Sequence, residues 1–215
     1  MPMVEACTCC QQVMADGPRA HRRGPKLSAL LLLRPGELRA GEWEAIDFDK
    51  AEWHVPGPRM KLKIAHIVPL SHQSLKILRD LQAINGHGRF VFPSIRTGER
   101  WMSDGTINAA LRGMGYDKDV MTAHGFRATA RTIMDEVLSE RVDLIEHQLA
   151  PAVKDANGRA YNRTTHLPGR HQMMQRWADY LDKLRNTGLP NVQASSARLP
   201  QPGSVGAHRL NDLRG

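Results

Sequence analysis

The sequence predicts an α+β fold, mainly helical, with a small antiparallel β-sheet or hairpin packed on a helical body. Between residues 43 and 70, three short runs rich in Trp, Val and Ile are separated by turn signals. After residue 70, apolar residues recur at spacings of three and four through five successive segments. Hydrophobic residues fill 41% of the 215 positions, enough to build a core and to argue against global disorder. The longest apolar run, Ala29 to Leu33, is far shorter than the roughly eighteen residues that a bilayer-spanning helix needs. Met1 to Ala20 also lacks the continuous apolar centre of a secretory signal.

Residues 1–26 read as an irregular leader, without strand or helix periodicity and broken at Gly17-Pro18 and Gly24-Pro25. All three cysteines, Cys7, Cys9 and Cys10, fall in it. Crowded together, they cannot form a disulfide framework, and they lack the ligand spacing of a zinc site. They read as reduced thiols on a loose end. The folded portion spans residues 27–185. Strands are predicted over Trp43 to Phe48, Trp53 to Pro56 and Ile64 to Leu70, with Asp49-Lys50 turning the first pair and Gly57-Pro58 opening the second connection. Ser71 can cap a helix whose Leu75, Leu78, Leu81 and Ile84 form an apolar stripe, ended by Gly86 and Gly88. Further helices are predicted around Ile107 to Met114, Arg127 to Leu138, Val142 to Leu149 and Arg170 to Arg185, the last with Met173, Trp177, Leu181 and Leu184 on one face. Residues 186–215, dense in Gly, Pro and Ser, read as a flexible tail.

Lys and Arg number 30 against 22 Asp and Glu, a formal net charge of +8. That excess favours a polyanionic partner over an acidic protein or a neutral metabolite. Three tyrosines are present. Tyr180 falls inside an amphipathic helix and Tyr116 at a helix end, both packing positions, whereas Tyr161 sits in GRAYNR between Arg159 and Arg163. A phenol is a poor nucleophile with a pKa near 10, and adjacent cations stabilise its anion while gathering a phosphodiester. In HGFR, residues 124–127, His124 and Arg127 share one helical face and can converge on one oxyanion. In RPGEL, residues 34–38, Pro35 and Glu37 suit a first helical turn, which leaves Arg34 at a helix N-terminus where anions bind readily.

Taken in order, RPGELR, RMKLKIAHIVPLS, VFPS, TINAALRGMGY, HGFRATARTIMDE, GRAYNRT and MMQRWADYLD resemble the catalytic domain of tyrosine recombinases, the phage-integrase family, and most closely the integrases of prophages and genomic islands. The resemblance covers Arg34 to Arg185 and implies the tyrosine-recombinase catalytic fold. It implies site-specific DNA recombination and integration, by strand cleavage and rejoining through a 3′-phosphotyrosine intermediate. Carried over residue by residue, Arg34 and Arg127 match the two arginines that clamp the scissile phosphate. Lys61, preferred over Lys63 because it stands seven residues before Val68, matches the lysine that protonates the departing 5′ oxygen. His124 matches the histidine that assists proton transfer, Glu37 the acidic residue that orients an arginine, and Tyr161 the nucleophile. No metal or other cofactor is implied, because the arginines, lysine and histidine replace it as charge stabilisers. Double-stranded DNA attachment sites are the implied partners, with a homo-oligomer on DNA, and the implied location is a bacterial cytoplasm near the nucleoid.

Two departures from the family pattern carry expectations of their own. Pro151 stands where relatives place a phosphate-donating His or Trp, and proline has neither a side-chain donor nor a backbone N–H. Loss of one oxyanion donor costs about 10²–10³ in rate; His147, one helical turn earlier, is the nearest partial substitute, but its position reads rather as facing elsewhere. Only 33 residues precede Arg34, in place of the DNA-binding domains of relatives, so the chain reads as an N-terminally truncated integrase. A catalytically impaired DNA-binding remnant is the alternative reading, and a type IB topoisomerase relative a third.

Overall fold

A computed structural model describes Cys9, Cys10, Val13, Met14 and residues 23–57, 65–94, 96–149 and 166–186. Its central element is α1, Arg23–Leu31, seven of whose nine residues are buried. Pro25 lies in the first turn of this helix, where its missing N–H costs nothing, so Gly24-Pro25 begins the helix and does not break the chain. Leu27, Leu31 and Leu33 join one apolar cluster, while Ala29, Leu30 and Leu32 join another. α1 therefore separates two half-cores and touches both.

The first half-core holds the sheet. A 3₁₀ turn at Trp43–Ala45 leads into β1, Ile46–Asp47, then β2, Glu52–Val55, and β3, His66–Pro69. The three strands are antiparallel in the order β1-β2-β3, with Ile46 opposite Trp53 and Trp53 opposite Val68. The turn after β1 is closed by the Asp47 carboxylate, which accepts from the backbone N–H of Asp49 at 3.1 Å and of Lys50 at 2.9 Å. All three predicted strands are present: the first is shortened by a 3₁₀ turn at its start, the second is shifted by one residue at the same length, and the third ends at Pro69. Helix α2, Pro35–Arg39, precedes the sheet, and α3, His72–Asn85, follows it. Ser71 caps α3 by accepting from the Ser74 N–H at 3.3 Å.

The second half-core gathers α4, Thr106–Gly113; α5, Gly125–Glu136; α6, Val142–Leu149; and α7, Leu167–Asn186. On α7, Met173, Trp177 and Leu181 are buried and Leu184 packs against the same cluster, so the predicted face is satisfied within the chain. Tyr116 is buried and Tyr180 stacks on Trp177 with ring centroids 6.1 Å apart, both in packing roles.

Two expectations are corrected. Residues 1–26 are not irregular at every described position: Cys9, Cys10, Val13 and Met14 have helical backbone and are at most 5% exposed. They present the i, i+1, i+4, i+5 spacing of one helical face, and the thiols act there as small hydrophobes. Burial pushes the Cys9 thiol up to about 12, against a hydrogen bond from Tyr116 and the charge of Arg112, which oppose the shift. These are not loose thiols. Ile84, the fourth member of the α3 stripe, is 57% exposed. Steps of three residues drift by about 60° each on an α-helix, so nine residues carry Ile84 to the face opposite Leu75.

Gly41 is buried in the first half-core, and a Cβ built there would collide with the indole ring of Trp53, itself 1% exposed. Gly41→Ala is therefore expected to destabilise the fold by about 1–3 kcal/mol. Gly113→Ala, in open space at the end of α4, should be neutral or stabilising by up to about 1 kcal/mol. Paired thermal or urea melts of the two variants check this ordering.

Candidate active site

The site is assembled at the C-terminal end of α1, where the last carbonyls of a helix lack intrahelical donors. Three side chains from three other helices supply them. The Trp177 indole N–H of α7 donates to the Ala29 carbonyl at 2.9 Å, and the Gln148 amide of α6 donates to that of Leu31 at 3.2 Å. Arg127, in the first turn of α5, donates through Nη1 to the Leu32 carbonyl and through Nη2 to that of Leu149, the last residue of α6. One guanidinium thus bridges two helix C-termini, where the carbonyl dipoles favour a cation. Leu32 itself has φ +58°, a left-handed conformation that costs a non-glycine residue of order 1 kcal/mol. This turn carries the chain out of α1 and into Arg34.

Arg34 occupies the N-cap position of α2. The Glu37 carboxylate, 6% exposed, accepts from the Arg34 backbone N–H at 3.0 Å and from its Nη1 at 3.0 Å. A single anion thereby fixes both the start of α2 and the orientation of the guanidinium. Arg127 is lowered to about 10, first by burial and then by the charge of Arg34, with Glu37 opposing. It remains fully protonated at neutral pH. Arg34, Glu37 and Arg127, separated by ninety residues of sequence, therefore share one electrostatic environment. His124 stands exposed at the N-cap of α5, one helical turn before Arg127. His147 is buried in α6 beside His166, with ring centroids 5.4 Å apart, and is held below its usual value by burial and by the charges of Arg170 and His166. Lys61, Pro151 and Tyr161 lie outside the described residues.

Two members of this cluster escape motif reading. Arg170, near the start of α7, is 1% exposed. Its Nη2 donates to Gln148 Oε1 at 2.7 Å and to the Ile67 carbonyl at 2.6 Å, and its Nε lies 3.2 Å from the same Gln148 oxygen. His66 of β3 has Nε2 3.5 Å from that Nη2. His66 is pushed down to about 3 by burial and by the charges of Arg170, Arg127 and Arg34, against a hydrogen bond to the Gln148 backbone. It is a neutral imidazole surrounded by cations. Both residues left a signal in the sequence. Arg170 precedes Met173, Trp177 and Leu181 on the same helical face, and His66 alternates with Val68 on the inward face of its strand.

Among the described residues, no group of three or more His, Cys, Asp or Glu side chains is gathered to hold a metal ion. Nor is any helix there long and apolar enough to cross a membrane. The cluster offers oriented N–H donors, with two buried carboxylates among its described residues: Glu37 against Arg34, and Glu52, whose charge acts on Arg170. Its guanidinium pair Arg34 and Arg127 suits a doubly oxygenated anion such as a phosphodiester.

Residues 26–148 match the model of the phage integrase family. The fold is that of the tyrosine-recombinase catalytic domain, shared with the integrase from mycobacterium phage Brujita at a TM-score of 0.61 and 18% identity, over 80% of this chain and 56% of that one. The chain belongs to the phage integrase family. It is 42% identical over 175 residues to the integrase of Enterobacteria phage P4, covering 75% of this chain and 40% of the relative. To prophage integrase IntA of Escherichia coli K12 it is 37% identical over 170 residues, covering 79% and 41%. The chain thus spans about two-fifths of the length of these curated relatives.

The depressed His66 fixes a pH dependence. An unfolded His binds its proton near pH 6.5, whereas folded His66 resists it until about pH 3, so the unfolded state gains protons first as pH falls. Stability contributed by neutral His66 is present above about pH 6.5 and is lost on acidification. Between pH 6 and pH 4 it should fall by on the order of 1 kcal/mol per pH unit. His66→Gln should flatten that slope. Urea midpoints of both proteins across this window provide the check.

Proposed function

We propose that this chain performs site-specific DNA strand cleavage and rejoining, with Tyr161 as nucleophile. The observation that carries the reading is that the half-buried Arg34 acts with its charge on the buried Arg127, ninety-three residues away in sequence, in a chain of the phage integrase family. In the proposed reaction the two guanidinium groups hold the non-bridging oxygens of the scissile phosphate. The Tyr161 oxygen attacks phosphorus, the bond from phosphorus to the 5′ oxygen breaks, and a 3′-phosphotyrosine forms. The phenolic proton leaves with the assistance of His124, and Lys61 gives a proton to the departing 5′ oxygen. Attack by a 5′-hydroxyl of a second strand reverses these steps and releases Tyr161. The phosphodiester energy is kept throughout, so no nucleotide cofactor enters the balance. Glu37 serves by orienting Arg34. His147, buried beside His166, supports the cluster from α6, and Pro151 supplies no donor of its own.

Double-stranded DNA is the proposed partner, bound chiefly through phosphates by a chain of net charge +8. That mode predicts affinity that falls steeply with salt, and recombination of two sites requires more than one copy on the DNA.

Incubation with a library of nicked duplexes of randomised sequence, followed by denaturing electrophoresis and sequencing of the trapped DNA, is expected to yield a covalent protein–DNA adduct. Tyr161→Phe should abolish the adduct, and Pro151→His should raise its rate of formation by about 10²–10³. An adduct that persists in Tyr161→Phe overturns the assignment of the nucleophile. Salt-sensitive binding without any adduct, including in Pro151→His, favours a DNA-binding remnant.

A further inference from the structure

Arg170 has no place in the proposed chemistry, yet it is among the most buried large side chains of the molecule. Burying a guanidinium costs far more than burying a leucine or methionine of similar volume, and well-packed apolar replacements of buried ion networks are often neutral or stabilising. Packing alone therefore does not account for it. Its bonds point elsewhere. Through Gln148 Oε1 it holds the side chain whose Nε2 donates to the Leu31 carbonyl at 3.2 Å. The two carbonyls gripped by Arg127, those of Leu32 and Leu149, are each the next residue along the chain from Leu31 and Gln148. Two clasps thus lie side by side across the same pair of helix ends, and Arg170 closes one of them. A further bond, from Nη2 to the Ile67 carbonyl at 2.6 Å, together with the His66 contact at 3.5 Å, ties both helix ends to strand β3.

We propose that Arg170 is a positioning residue: through Gln148 it holds the C-termini of α1 and α6 at the separation that lets the Arg127 guanidinium bridge them, and so fixes the phosphate-binding geometry without touching DNA. At 1% exposure it cannot reach a bound phosphate without repacking the core. A lysine retains the charge but not the planar fork that serves Gln148 and Ile67 together. The consequence for strand cleavage rests on the proposed recombinase function, whereas the consequence for Arg127 does not.

The experiment therefore has two readouts on the full chain. The first uses no DNA: nitrogen-15 spectra of the arginine side chains of wild type, Arg170→Lys and Gln148→Glu. Gln148→Glu keeps an acceptor for Arg170 but removes the donor to Leu31, so it breaks the same link should Arg170→Lys fail to fold. Wild-type Arg127 should show distinct, slowly rotating Nη–H signals, and in the folded variants these should merge or broaden. Arg127 signals unchanged in a folded variant overturn the proposal. The second readout uses the duplex recovered in adduct trapping. Each folded variant should lose roughly tenfold to hundredfold in single-turnover adduct rate, while its DNA affinity stays within about threefold of wild type. Equal losses in affinity and rate would mean direct DNA contact and would likewise overturn it. Should neither the wild type nor Pro151→His form an adduct, the recombinase reading fails, and the arginine spectra still decide the role of Arg170.

Discussion

The unsatisfied carbonyls at the C-terminus of α1 are the constraint on which the site depends. A helix that ends inside a protein must find donors for its last carbonyls or suffer the cost of leaving them desolvated. Here a tryptophan, a glutamine and an arginine from three separate helices provide them. Satisfying the backbone of α1 therefore fixes the relative placement of α5, α6 and α7 around it. The chain then turns through a left-handed Leu32 and delivers Arg34 two residues later. Fold and candidate site are consequences of the same hydrogen bonds.

The electrostatics are as constrained as the geometry. Arg34, Arg127 and Arg170 are drawn together around His66, with the Glu37 carboxylate hydrogen-bonded to Arg34. Repulsion among the three is tempered by helix-end carbonyls at Arg127, by the side-chain and backbone oxygens at Arg170, and by keeping His66 neutral. The residual positive potential is oriented before any ligand arrives, and in a low-dielectric setting such preorganised donors stabilise developing negative charge strongly.

Much of this was legible in the sequence where a physical rule had a single outcome. Spacings of four, four and three kept Met173, Trp177, Leu181 and Leu184 on one face of α7, and the hydroxyl of Ser71 marked the start of α3. The stripe on α3 was legible only in part, because steps of three rotate off the face and Ile84 ends in solvent. Cys9 and Cys10 belong to a buried helical face with Val13 and Met14, a pattern that the redox and metal chemistry of thiols obscures. Arg34, Glu37 and Arg127 could be named because short motifs carry them. Arg170 and His66 could not, since each lies on a face that reads as core and acquires a partner only when α6, α7 and β3 meet. A polar residue on a core face signals that it is buried, but not which partner it will meet.

In the proposed reaction Arg34 and Arg127 act as one clamp on the phosphate that Tyr161 attacks. A crystal structure of the chain bound to the duplex recovered by adduct trapping, with vanadate in place of the scissile phosphate, tests it most directly. Both guanidinium groups are expected on the non-bridging oxygens of one vanadate, with the Tyr161 oxygen as an apical ligand. Vanadate bound to only one of the two arginines, or bearing a different apical side chain, would contradict it.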